Sequence, residues 1–77
     1  MKNPDVYIKK EKDYFNFIFS SEKAKERINE EIKTNNTVKK DMFTVTKEQE
    51  LVFPVTKESK DMFVGVLISW DLKVLQM

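Results

Sequence analysis

Thr56-Lys57-Glu58-Ser59-Lys60-Asp61-Met62-Phe63-Val64-Gly65-Val66-Leu67-Ile68-Ser69-Trp70 is the stretch on which the fold turns. Read with period two, Met62, Val64, Val66 and Ile68 line one face of a strand, and Phe63, Gly65 and Leu67 the other. Read with period 3.6, Phe63, Leu67 and Trp70 make one stripe of a helix capped by Thr56 or Ser59. Gly65 and the β-branched Val64, Val66 and Ile68 lower helix propensity. A strand over Met62 to Ser69 is therefore the expectation, and a second helix at about residues 57–70 the alternative.

Working outward, Val-Thr precedes a charged Lys-Glu segment twice, at Val45-Thr46-Lys47-Glu48 and Val55-Thr56-Lys57-Glu58. A third charged segment is Lys10-Glu11-Lys12-Asp13. Each sits between β-rich runs, so residues 10–13, 47–50 and 57–60 read as four-residue hairpin loops built on type I turns, which need neither Gly nor Asn. The first loop sets Ile8 opposite Phe15 and Val6 opposite Phe17. Val6, Ile8, Phe15, Phe17 and Phe19 then share one face, with Tyr7, Lys9, Tyr14 and Asn16 on the other and Ile18 as the apolar exception.

Ser20 or Ser21 offers an N-cap to a helix carrying Ala24, Ile28 and Ile32 at four-residue spacing, ending at Thr34-Asn35-Asn36-Thr37. Beyond it the chain reads as strands Met42 to Thr46, Leu51 to Thr56 and Met62 to Ser69, with a tail Leu72 to Met77. Pro54 inside the second of these calls for an edge or a bulge, because it cannot donate to a ladder. The expected fold is α+β: a single small domain over residues 1–77 with a β-hairpin, one α-helix and an antiparallel meander of three or four strands, ββαβββ-like.

The chemistry is bounded by what is missing. The 77 residues include no His, no Cys and a single Gly. Imidazole and thiolate, the usual general base, nucleophile and soft metal ligands, are unavailable, and one glycine cannot build a phosphate cradle. No carboxylate pair stands at a recognisable spacing. The expectation is a non-enzymatic protein with no cofactor and no metal.

Net charge is +1, with ten Lys/Arg against seven Asp/Glu in residues 1–40 and four against six in residues 41–77. That balance marks neither a nucleic-acid nor a membrane surface. The longest apolar run, Met62 to Ile68, is short of a membrane span, and a cytoplasmic location is expected. Richness in Lys, Asn, Ile and Glu is what AT-rich codons encode, which points to an AT-rich bacterium or its phages and plasmids.

The expected meander leaves one sheet face uncovered by the single helix. Phe43, Val45, Val52, Pro54, Phe63 and Leu67 would form it, an apolar patch that marks a protein partner or a second copy of the chain. The functional expectation is a protein-binding module of unknown partner, an inhibitor or adaptor encoded by a phage or mobile element, with homodimerisation as one form. The alternative is nucleic-acid binding by Tyr7, Lys9, Lys10, Lys12, Tyr14, Lys39 and Lys40, since aromatic and basic side chains on a sheet can stack bases and neutralise phosphates. Interleaved Glu11, Asp13 and Asp41 and the scarcity of Arg weigh against it.

Overall fold

The computed structural model describes residues 4–34 and 40–76. In chain order it contains β1 (Val6–Lys10), β2 (Tyr14–Phe19), α1 (Glu22–Thr34), a 3-10 turn (Lys40–Met42), β3 (Thr44–Val45), β4 (Leu51–Thr56), α2 (Lys57–Ser69) and β5 (Val74–Gln76). The strands form one mixed sheet in the order β3-β4-β2-β1-β5, antiparallel except for β5 alongside β1. The chain is α+β, and the hairpin, first helix and β4 lie where the sequence puts them. The second helix, not a third meander strand, occupies residues 57–69.

Two hairpin registers differ from expectation, with opposite consequences. In the first, Ile8 pairs with Phe17 and Val6 with Phe19, leaving Lys12-Asp13 as a two-residue loop closed by the Glu11 amide on the Tyr14 carbonyl at 2.9 Å. The slip is two residues, so every side chain keeps its face. Val6, Ile8, Phe17 and Phe19 are all buried. In the second hairpin Thr44 pairs with Val52 and Val45 with Leu51. Here the slip is one residue, and it reverses β3 relative to β4. The cause is the turn: the Gln49 amide donates to the Thr46 carbonyl at 3.0 Å, the Thr46 amide to the Glu50 carbonyl at 2.9 Å, and Gln49 takes a φ of 66°. A type I turn closed by a left-handed residue makes a three-residue loop with a bulge.

α1 begins as its sequence requires. Ser21 Oγ accepts the Ala24 amide at 3.0 Å, satisfying a donor the first turn would otherwise leave unpaired. Ala24 and Ile28 are buried against the sheet, while the expected terminator, residues 35–37, lies outside the described residues. One helix with so narrow a stripe cannot cover the phenylalanines of β2. α2 supplies the rest: Leu67 is fully buried, and the Phe63 ring meets Phe17 edge-on at 4.9 Å and Phe53 at 5.4 Å. This need for cover over Phe17 and Phe19 outweighs the weak helix propensity of Val64, Val66 and Ile68, worth tenths of a kcal/mol each. Both helices pack on the same face.

Gly65 sits mid-helix without a positive φ, and a Cβ built on it meets nothing within 4 Å. Gly65→Ala is expected to stabilise the fold by about 1 kcal/mol through lower chain entropy in the unfolded state and better helix propensity. Urea denaturation reads this as a raised midpoint at unchanged slope.

Candidate functional site

With both helices on one side, the other face of the sheet has no covering layer among the described residues. Strand alternation and the pairing register set its content. Leu75, Tyr7, Ile18, Val52 and Thr44 stand side by side in one row that crosses all five strands. Lys9, Asn16 and Pro54 form the next row, and Tyr14 with Thr56 the one beyond. Leu75 is 48% and Tyr14 40% exposed, and Tyr7, Ile18 and Val52 are half-buried only by their neighbours in the sheet.

Charged groups on this face are few, Lys9 and Glu11 among them. Asn16 Nδ2 donates to Glu11 Oε2 at 3.3 Å, which holds both side chains down on the strands. The four ion pairs among the described residues involve Lys23, Lys25, Arg27 and Lys60, all on the helices, and none of them includes Lys9 or Lys12.

The open face turns a corner at Pro54. β3 pairs only with Leu51 and Val52, so the far half of β4 is an unpaired edge. Ladder alternation from the Thr46–Glu50 and Thr44–Val52 pairs aims the Pro54 nitrogen at that edge, where the missing donor costs nothing. The edge position answers the difficulty Pro54 raised, and it blunts pairing with foreign strands. On the helix side of the edge lies a groove of about 280 Å³ between β4 and the first turns of α2, walled by Phe53, Pro54, Val55, Met62 and Phe63.

The six residues expected to form one partner face are separated by the fold. Leu67 is in the core, Phe63 packs on Phe17, and Phe43 stacks on Phe53 with ring centroids 4.9 Å apart. Val45, 59% exposed, lies beside Leu51 on the helix side, and only Val52 and Pro54 reach the open face. The one-residue slip and the helical turn of 57–69 together account for the reversal. Of the residues expected for nucleic acid, Tyr7, Lys9 and Tyr14 share the open face and Lys12 is at its hairpin end. Lys10 alternates to the helix side, paired with Phe15; Lys40 opens the 3-10 turn, and Lys39 lies outside the described residues. Ile18 and Leu75 complete the apolar row without having been singled out as site residues. Ile18 did carry a signal, as the one large aliphatic residue on an otherwise polar face.

Among the described residues, no cluster of three or more His, Cys, Asp or Glu could hold a metal ion, and no helix is long and apolar enough to cross a membrane. Compared with protein-family models, curated proteins and solved structures, the chain matches none.

Proposed function

We propose that this chain is a non-catalytic protein-binding module that acts through the open face of its sheet. The observation that carries the reading is the uninterrupted row Leu75, Tyr7, Ile18, Val52, on the side opposite both helices. Tyrosine and aliphatic residues at the centre of a patch, with few charges among them, are the composition of an interface core. The composition of the chain, without imidazole or thiol, supports a role in contact over one in catalysis. Its richness in residues that AT-rich codons encode supports a phage or mobile-element origin, and with it an inhibitor or adaptor of a host protein.

Size decides what kind of contact this is. Strands about 4.8 Å apart and ladders of up to six residues at about 3.3 Å each give a face of roughly 24 by 20 Å, on the order of 480 Å². A standard interface takes about 800 Å² from each partner. A partner confined to the sheet therefore makes a transient contact, and a lasting one also grips the β4 edge and its groove. A face-to-face homodimer is the form in which the partner is a second copy.

Val52→Asp places a charge at the centre of the row without touching the buried side. The variant is expected to keep the wild-type circular dichroism spectrum while losing the protein that wild type captures from its native cells, or losing dimer in sedimentation equilibrium. Identical capture and identical mass for the two proteins would sink the proposal. Nucleic-acid binding is separated by titration with single-stranded RNA at low salt, where replacing Lys9 and Lys12 weakens any affinity and flattens its salt slope.

A further inference from the structure

At the opposite edge of the sheet β5 is three residues long and pairs only with β1. Its side-chain anchors are Leu72, which is buried, the partly buried Val74, and a bond from Lys60 Nζ to Gln76 Oε1 at 3.1 Å. Such a short edge strand, paired on one side, belongs to the low-stability end of a fold. What stands at its entrance is Asp5. Its Oδ2 accepts the Lys73 amide at 2.8 Å and its Oδ1 the Ser21 hydroxyl at 2.6 Å. Its own amide donates to the Lys73 carbonyl at 2.9 Å, and its carbonyl accepts the Ser20 amide at 3.0 Å. One residue thus joins the start of β1, the N-cap of α1 and the start of β5.

We propose that the Asp5 carboxylate is a latch that closes β5 onto the β1 edge, and that loss of its charge opens this strand while the β1–β2 ladder stays formed. Both oxygens act as acceptors, one from a main-chain amide and one from a hydroxyl; the ionised form makes both as charge-assisted bonds, whereas the neutral form keeps one acceptor and must reverse the Ser21 hydroxyl. The charged groups that act on it are Lys73 at the head of β5 and Lys23 on the first turn of α1. Lys23 is itself shared with Asp71, at 3.3 Å from Oδ2 and 2.7 Å from the carbonyl. Partial burial pushes the Asp5 carboxyl up, but the Lys73 amide, the Ser21 hydroxyl and the Lys23 and Lys73 charges outweigh it and hold it below its usual value of 3.8. For a lowered carboxyl the sign is fixed: the latch is fully closed above about pH 4, and it opens as the pH falls through the folded-state value. Opening bares the β1 edge and removes Leu75 from the open-face row.

Amide hydrogen exchange on the intact chain tests this. In Asp5→Asn at neutral pH, where Asn cannot supply two acceptors, the Lys73 and Val6 amides are expected to lose at least tenfold in protection, while Glu11, at the far end of the β1–β2 hairpin, changes less than twofold. The wild type, titrated from pH 7 to pH 2, is expected to show the same selective loss before the hairpin amides exchange, which keeps the test open if the variant folds poorly. Lys73 and Val6 protection within twofold of wild type in Asp5→Asn, or loss at Glu11 in step with Lys73 in the acid titration, would overturn the latch.

Discussion

Phe63→Asp is expected to unfold this chain at any protein concentration. Phe63 lies under the centre of α2, with Phe17 at 4.9 Å, Phe53 at 5.4 Å and Phe19 at 6.4 Å. Phe63 is partly buried, so truncating it costs the lower part of the range of about 3 to 5 kcal/mol that holds for a fully enclosed aromatic. An unpaired carboxylate left in an aromatic cluster adds several more unless the ring cage opens to water. A domain of this length has roughly 4 to 12 kcal/mol in total at about 0.05 to 0.15 per residue. Circular dichroism at several concentrations should show loss of the native signal in all of them. A variant that stays folded and merely stops self-associating would mean that Phe63 lies at an intermolecular surface, and that α2 is not the lid of this core.

The contrast between that outcome and the one the meander predicts shows how much hung on a few residues. The tetrapeptide Val-Thr-Lys-Glu occurs twice and takes two courses. At Val45-Thr46-Lys47-Glu48 the chain turns and reverses, because Gln49 enters the left-handed region and Thr46 Oγ1 accepts the Glu50 amide at 3.1 Å. At Val55-Thr56-Lys57-Glu58 it continues as α2, whose first turn has no side-chain cap from Thr56. A type I turn and a helical turn share their opening conformation, so local sequence does not separate them. What does is the next residue and the layer the sheet needs. Gln at a left-handed position announces nothing, whereas Gly or Asn there would have marked the loop length and with it the β3 register. Alternation was the robust signal. It placed Val6, Ile8, Phe17 and Phe19 inward despite a wrong loop length, because a two-residue slip preserves faces and a one-residue slip does not. The open face was legible in the same way, as Tyr7, Lys9, Tyr14 and Asn16. Its apolar centre was assembled by pairing with β4 and β5, which no local pattern contains.

Adjacent residues of β2 measure this one-sidedness directly. Phe17 is fully buried on the helix side, whereas Ile18 points to the open face and is half-buried by strand neighbours alone. Phe17→Ala is expected to remove about 3 to 5 kcal/mol, since the cavity is enclosed by Phe63, the sheet and the helices and cannot collapse freely. Ile18→Ala should cost about 1 to 2 kcal/mol, because only strand neighbours cover it and no second layer encloses the space it leaves. Urea denaturation of the two variants and wild type, read at equal slope, gives the difference directly. With a total of about 4 kcal/mol, the low end for a domain of this length, the first variant is mostly unfolded at 37 °C and the second is not. Run at high and low protein concentration, the same comparison reports on the partner surface. If Ile18→Ala becomes as costly as Phe17→Ala only when the chain is concentrated, the layer that covers Ile18 is a second copy. Equal costs at every concentration would mean that the open face is closed within the chain itself, and that the binding surface lies elsewhere.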